Sequence, residues 1–219
     1  MADTIKTIVF DMDGVIFDTE NLCLKSWEYA ARQYGIENIL PVFKKCIGTN
    51  YRMTRDIVLA AYGSDFKYEE FRKKAGEYFY GYEREHGMPL KPKVRETMEW
   101  LKSHGYRLGL ASSTDRINVE RELKSVGLFD YFESVICGDS VKRSKPAPDI
   151  YLEACRTLGE KPENCYAIED SINGIISAFD AGLKPIMVPD MLPPDERVDG
   201  KLTALCGDLF EVCRFLEKQ

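Results

Sequence analysis

The sequence predicts an α/β protein in which a parallel sheet is covered by helices and is interrupted, early in the chain, by a helical insertion. Three observations lead to this fold class. The run Ile5–Phe10 is apolar and β-branched, which is typical of a buried strand. The segment that follows, up to about Met88, has helical periodicity and no convincing strand. Beyond it, strand-like and helix-like segments alternate to the end of the chain, as a parallel sheet requires.

The helical insertion is expected to begin directly after the first strand. An apolar helical periodicity runs from Asp18, its expected N-cap, to about Tyr34. Pro89 and Pro92 mark the return of the chain from the insertion. Between these points the pattern predicts further helices near Pro41–Ile47, Met53–Tyr62 and Lys67–Glu85.

The remaining residues supply the rest of the sheet and its covering helices. Further strands are expected at Tyr106–Ala111, Ser134–Cys137, Cys165–Ile168 and Pro185–Val188. The helices between and around them are expected at Val94–His104, Arg116–Val126, Pro148–Leu158, Ile172–Ala181 and about Asp208–Glu217. The proline- and acid-rich segment Met191–Asp199 is expected to be a loop.

Composition excludes several classes of protein. With 219 residues, 44% hydrophobic and 30% charged, the chain has the composition of an ordinary globular protein. Its net charge of -6 argues against nucleic-acid binding, and no apolar run approaches the ~20 residues of a membrane span. The seven cysteines form no metal-binding spacing, and Met1 is followed almost at once by the first strand. We therefore expect a cytoplasmic protein with reduced thiols.

Two carboxylates stand where the first strand must end. Asp11 and Asp13 follow Phe10, and Gly14 lets the backbone turn sharply away. Aspartate is also a common turn former, so this stretch alone leaves that alternative open. Close, buried carboxylates are expensive unless a cation neutralises them, and Mg²⁺ prefers oxygen ligands. The pattern is therefore consistent with a magnesium site at the end of this strand.

Polar residues also stand at later strand ends. Ser112 follows the second strand and has two interpretations, a phosphoryl ligand or a helix N-cap. Lys145 precedes a proline and is either a phosphate-binding cation or a surface lysine. Glu169 and Asp170 end the fourth strand, where one acid can cap the next helix and a second acid suits a divalent metal. Because the carboxyl ends of parallel strands meet at one edge, we expect these side chains to come together.

These segments together resemble the haloacid dehalogenase-like hydrolase superfamily, and within it the β-phosphoglucomutase-like branch with its sugar-phosphate phosphatases. The resemblance rests on DMDGVIFDT, ASS at a strand end, SKPAPDIY and IEDSINGI, which occur in the family's order and spacing. It implies a Rossmann-like catalytic core formed by residues 1–16 and 90–219. It also implies a helical cap domain formed by residues 17–89.

The resemblance also implies roles for the matching residues. Asp11 is the expected nucleophile, forming an aspartyl-phosphate, because a carboxylate is ionised at neutral pH without a base. Asp13 is the expected general acid and base, and its backbone carbonyl is an expected Mg²⁺ ligand. The remaining assignments are phosphate binding by Ser112, Ser113 and Lys145, and metal binding by Asp11 and Asp170 with Glu169 in support.

The expected activity is Mg²⁺-dependent hydrolysis of a small phosphorylated metabolite by a monomer. Asp13 disfavours dehalogenation, because that chemistry in the superfamily lacks an acid at this position. Two alternatives stay open, a β-phosphoglucomutase-type phosphomutase and a catalytically inactive binding module. The family's mutases carry a histidine in the first cap helix where this chain has Cys23, which favours the phosphatase. In the insertion, Gly48–Arg52 resembles the family's substrate-facing loop. Arg52 has two interpretations, a ligand of a substrate phosphate or carboxylate or an exposed arginine at the start of a helix.

Overall fold

The computed structural model describes residues 5–47, 49 and 51–219. Contacts between residues divide the chain into two compact units. The sheet unit comprises Met1–Asp18 and Leu90–Gln219, and the helical unit comprises Thr19–Pro89. That the helical unit serves as a cap stays a prediction.

The sheet unit is built on one six-stranded parallel sheet. Its strands lie in the order β3-β2-β1-β4-β5-β6, so the first strand of the chain is central. Every residue of β1 is buried, and because successive side chains point to opposite faces, both faces of the sheet are covered. The strands are β1 (Thr7–Phe10), β2 (Arg107–Ala111), β3 (Ser134–Ile136), β4 (Cys165–Glu169), β5 (Lys184–Met187) and β6 (Ala204–Leu205).

Helices of the sheet unit pack against this sheet and against each other. In chain order they are α5 (Val94–Ser103), α6 (Arg116–Ser125), α7 (Asp149–Leu158), α8 (Ile172–Asp180) and α9 (Leu209–Leu216). Helix α7 contacts β1, β2 and β3, whereas α8 contacts β4 and β5. Helix α5 contacts α9, and the ring of its Trp100 stacks on His104 with centroids 4.0 Å apart.

The helical unit has an aromatic core of its own. It contains α1 (Thr19–Arg32), α2 (Leu40–Cys46), α3 (Tyr51–Tyr62) and α4 (Tyr68–His86), with α1 packed along α4. Trp27 of α1 meets Phe43 edge-on with ring centroids 5.2 Å apart, and it meets Phe71 at 5.3 Å. These rings bury apolar area within the unit itself. None of the described helices is long and apolar enough to cross a membrane.

The predicted fold class is confirmed, with differences at the level of short elements. Strand β6 was not predicted, because two residues are too few to show a periodicity. It is held by the amides of Thr203 and Cys206, which donate to Pro185 and Met187. The expected loop Met191–Asp199 contains a 3₁₀ turn at Glu196–Val198. Other element ends shift by a residue or two, as helix and strand ends commonly do.

Candidate active site

The carboxyl ends of β1, β2 and β4 bring the predicted residues to one edge of the sheet. Asp11 follows β1, and its amide donates to the carbonyl of Ile168 on β4 at 2.9 Å. Ser112 follows β2, and its amide donates to the carbonyl of Ile136 on β3 at 3.0 Å. Glu169 is the last residue of β4. Backbone hydrogen bonds between neighbouring strands therefore fix the positions from which these side chains project.

Lys145 joins two of these strand ends through its ammonium group. Its Nζ donates to Asp11 Oδ1 at 2.5 Å, to Glu169 Oε1 at 2.6 Å and to the carbonyl of Ala111 at 2.9 Å. The lysine side chain is only 8% exposed, so the surface-lysine alternative is wrong. Three acceptors match the three hydrogens of an ammonium group, which leaves the buried charge paired.

Glu169 is fully buried and accepts hydrogen bonds on both carboxylate oxygens. Besides Lys145, the hydroxyl of Tyr151 donates to Oε1 at 3.0 Å. Oε2 accepts from the amides of Asp170 and Ser171 at 3.1 Å each and from Ser171 Oγ at 3.0 Å. Gly174 makes room for this carboxylate, because a Cβ there would lie 1.8 Å from Oε1. These contacts anchor Glu169 firmly.

Asp170 lies against the turn that follows β1. A Cβ on Gly14 would lie 2.2 Å from Asp170 Oδ2, and Gly14 adopts a φ of 82°, which favours glycine. The N-cap of α8 is Ser171, whose Oγ accepts from the amide of Gly174, so neither acid caps that helix. Glycine at position 14 therefore leaves the space that Asp170 occupies beside the β1 turn.

Thr114 links Ser112 to Asp13. The Thr114 hydroxyl donates to Asp13 Oδ2 at 2.9 Å, and its amide donates to Ser112 Oγ at 3.1 Å. The residue that precedes α6 is Asp115, so Ser112 is not the N-cap of that helix. Because Ser112 Oγ accepts from Thr114, its own hydrogen points away from that bond and can be donated to a ligand.

Burial and neighbouring negative charges raise the pKa of Asp11. Burial raises the pKa of Asp11 to about 8, with Glu169 and Asp13 adding to the rise and Lys145 opposing it. Burial alone lowers the pKa of Lys145, but Asp11 and Glu169 outweigh it and raise that pKa above its usual range. The edge therefore holds more negative charge than Lys145 alone can balance.

The donor set of this edge fits a hard divalent cation. Asp11, Glu169 and Asp170 each offer a carboxylate oxygen, and these oxygens lie within 4.8 Å of one another. The donors are oxygens, the carboxylates are largely buried, and Gly14 leaves room for the Asp170 carboxylate beside the β1 turn. Mg²⁺ prefers such ligands. The carboxylate of Asp13 lies outside this group, so its expected backbone-carbonyl contact stays a prediction.

Two other predicted ligands, Ser113 and Arg52, are exposed. Ser113 is exposed, and its carbonyl faces Gly138, where a Cβ would lie 2.1 Å away. Arg52 is exposed on α3 in the helical unit, and its role stays a prediction. Of the loop before it, Gly48 and Asn50 lie outside the described residues.

Three contacting residues were missed from the sequence: Thr114, Tyr151 and Ser171. Thr114 stands two residues after Ser112, so the Ser-Ser-Thr run was the available signal. Tyr151 has the helical spacing of a core residue, and nothing local distinguishes a tyrosine that donates to a buried acid.

Comparison with known proteins identifies the family. The sequence pattern of a haloacid dehalogenase-like hydrolase matches residues 5–182, a range that includes every residue of this edge named above. The chain belongs to the haloacid dehalogenase-like hydrolase family.

Relatives with named functions refine the place of this haloacid dehalogenase-like hydrolase within its family. The candidate phosphatase YhcW of Bacillus subtilis (strain 168) is 36% identical over 188 residues, covering 85% of this chain and 84% of YhcW. The phosphorylated carbohydrates phosphatase of Thermotoga maritima is 33% identical over 184 residues, covering 83% of this chain and 84% of that protein. The crystal structure of a candidate beta-phosphoglucomutase from Thermotoga maritima superposes with a TM-score of 0.79 at 30% identity, covering 97% and 99% of the two chains. This haloacid dehalogenase-like hydrolase is a phosphatase.

Proposed function

We propose that this chain hydrolyses a small phosphorylated metabolite, of the sugar-phosphate class, through an aspartyl-phosphate on Asp11 and with Mg²⁺ bound. The observation that carries the proposal is the buried junction of Asp11, Lys145 and Glu169 beside Asp170. It combines a carboxylate nucleophile, a fixed cation and a set of oxygen ligands at one point. Phosphoryl transfer needs that combination, because its catalysis is mostly positioning and charge stabilisation.

Asp11 and Asp13 divide the covalent chemistry between them. An Asp11 oxygen attacks phosphorus, the ester P–O bond breaks, and Asp13 gives its proton to the leaving alkoxide oxygen. Water then attacks the phosphorus of the aspartyl-phosphate, Asp13 takes up the water proton, and the P–O bond to Asp11 breaks. Inorganic phosphate leaves and both carboxyl groups return to their starting states. The hydrogen bond from Thr114 orients Asp13 for both proton transfers.

Ser112 and Lys145 would hold the phosphoryl oxygens. Lys145 already lies 2.5 Å from the nucleophile, so a phosphoryl group on Asp11 would lie within its reach. Ser112 retains a hydrogen to donate, because its oxygen accepts from Thr114. We propose Ser113 as a further phosphate contact and Arg52 as the ligand of a second anionic group on the substrate. Arg52 would serve this role with the helical unit acting as a cap.

Mg²⁺ would be held by the carboxylates of Asp11 and Asp170 and by the backbone carbonyl of Asp13, with Glu169 in support. When bound, the cation neutralises charge on the phosphoryl group and on these acids. A bound cation also opposes the rise that burial causes in the pKa of Asp11, so it favours the ionised nucleophile.

Hydrolysis is favoured over phosphomutase transfer by the first helix of the helical unit. Burial, with a smaller effect from Glu20, raises the pKa of Cys23 to about 11. A thiol with that pKa is protonated at neutral pH and does not act as a base. The resemblance to a candidate beta-phosphoglucomutase keeps transfer as the second candidate function. The relative named for phosphorylated carbohydrates supports the sugar-phosphate class, and we further propose that the enzyme acts in the cytoplasm.

Phosphate release from a panel of sugar and polyol phosphates, with and without Mg²⁺, tests the proposal. Turnover should require Mg²⁺, and Asp11→Asn should abolish it while circular dichroism stays unchanged. Asp13→Asn should lower kcat by about 10²–10⁴-fold, the usual cost of a lost general acid. Near-normal turnover by Asp11→Asn would refute the nucleophile assignment.

A second experiment separates hydrolysis from transfer. The protein is incubated with β-glucose 1-phosphate and a trace of the 1,6-bisphosphate. Free phosphate should accumulate faster than glucose 6-phosphate. The reverse order would show that the chain is a mutase.

A further inference from the structure

A further carboxylate, on the buried side chain of Asp190, lies beside Asp170, one of the proposed metal ligands. It follows β5, whose Met187 pairs with Glu169 on β4, so Asp190 emerges at the same edge of the sheet. A carboxylate oxygen of Asp190 lies within 4.8 Å of one of Asp170. No motif in the sequence drew attention to this residue, which lies in an irregular segment.

The two oxygens of Asp190 have different surroundings. Oδ1 accepts from Lys91 Nζ at 2.6 Å, and the Asp190 side chain is only 6% exposed. Oδ2 is buried and accepts no hydrogen bond from any residue that the structure describes. A buried acceptor without a donor costs about 1–3 kcal/mol, and more for a charged group. This cost calls for a donor that is not part of the described chain.

Lys91 fixes the orientation of Asp190. Its ammonium group also lies 3.4 Å from Asp18, so it holds the two acids from one point. With Oδ1 held in this way, Oδ2 cannot turn toward Lys91 without breaking the 2.6 Å bond. Asp190 is therefore a preoriented acceptor next to Asp170.

We infer that Asp190 is a positioning residue for the metal, accepting a hydrogen bond on Oδ2 from the hydration shell of the cation held by Asp170. Mg²⁺ gives up water reluctantly and keeps several water ligands in protein sites. Such waters are strong donors and are commonly held by carboxylates that do not touch the metal. The inference rests on the magnesium site of the proposed function, and it adds the residue that orients the bound water.

Metal affinity provides the test, with Mn²⁺ as a spectroscopic substitute for Mg²⁺. Binding to the whole protein is followed by the electron paramagnetic resonance signal of free Mn²⁺. Asp190→Asn keeps an oxygen for Lys91 but turns an amide toward the cation's water. Affinity should fall by about 10-fold or more, the usual cost of removing such an outer partner. Asp18→Asn is the matched control, since it removes an equal charge from the same lysine, and its affinity should stay within about threefold of wild type.

A double variant covers the possibility that Asp190→Asn does not fold. Lys91→Gln with Asp190→Asn removes both charges, leaves the net charge unchanged, and should show the same loss of affinity. Wild-type Mn²⁺ affinity in a folded Asp190→Asn or in the double variant would overturn the inference and leave the proposed function intact. Equal losses in Asp190→Asn and Asp18→Asn would also overturn it, because net charge would then explain both. Failure of the wild-type protein to bind Mn²⁺ would refute the metal dependence itself.

Discussion

Replacing Tyr151 with phenylalanine removes one hydroxyl group from the buried junction and keeps the rest of the side chain. The hydroxyl donates to Glu169 Oε1 at 3.0 Å, and the ring is fully buried on α7. The Lys145 ammonium lies 5.1 Å from the ring centroid, a contact that phenylalanine retains. The substitution therefore isolates the effect of one hydrogen bond.

The expected destabilisation follows from the other donors to Glu169. A hydrogen bond to a charged group contributes about 1.5–3 kcal/mol to stability. Glu169 keeps Lys145 on Oε1 and three donors from Asp170 and Ser171 on Oε2, so no acceptor is left unpaired. The loss should therefore lie near the lower limit, about 1.5 kcal/mol. If the same energy is lost in the transition state, kcat falls by about tenfold.

Urea unfolding and steady-state kinetics measure these two effects. Tyr166→Phe is the matched control, because Tyr166 is also buried, on β4, and its hydroxyl makes no hydrogen bond within the described part of the chain. The control should change the free energy of unfolding by less than about 0.5 kcal/mol. If Tyr151→Phe matches Tyr166→Phe in both stability and kcat, the account of Glu169 as the anchor of the site is wrong.

Further predictions concern the same edge of the sheet. Thr114→Val removes the donor to Asp13, the proposed acid and base, and should lower kcat by about tenfold with little change in KM; Thr114→Ser should restore kcat, and a valine variant with wild-type kcat would contradict this. Gly174→Ala would place a Cβ 1.8 Å from Glu169 Oε1 and should destabilise the fold by about 1–3 kcal/mol in urea unfolding. Gly76→Ala, in a helix with its nearest neighbour 3.9 Å away, should be neutral or stabilising. Because the pKa of Asp11 is raised to about 8 without metal, Mg²⁺ must displace its proton below that pH. Affinity should therefore rise with pH up to about 8 and then level off, and calorimetry at pH 7 in buffers of different ionisation enthalpy should detect about one released proton; a flat pH profile would contradict the raised pKa.

The sequence could predict those site residues that lie at the ends of strands. Asp11, Ser112 and Glu169 stand at the carboxyl ends of buried strands, and a parallel sheet brings such ends to one edge whatever the loops between them do. Lys145 was a candidate from its position before a proline, but the sequence alone left a surface lysine open as the alternative, because its contact with Asp11 spans 134 residues of chain. Local patterning contains no information about a contact of that length.

The residues that escaped prediction are held by tertiary geometry. Tyr151 has the spacing of an ordinary core residue of α7, and its role depends on one oxygen that faces Glu169. Asp190 lies in an irregular segment, and its partner Lys91 is 99 residues away. Strand β6 depends on hydrogen bonds to β5 and has too few residues for an alternation. In each case the deciding interaction is distant in sequence.

Each of the two units contains one of the chain's two tryptophans, so the unfolding of each unit can be followed by tryptophan fluorescence. Trp27 lies among the rings of the helical unit, and Trp100 stacks on His104 in the sheet unit. Replacing one with phenylalanine leaves a protein whose indole fluorescence reports on the other unit alone. Urea titrations of Trp27→Phe and Trp100→Phe then show whether the helical unit unfolds separately from the sheet unit or together with it. Separate midpoints would make the insertion an independently folding module, which could be exchanged without rebuilding the edge of the sheet that holds Asp11.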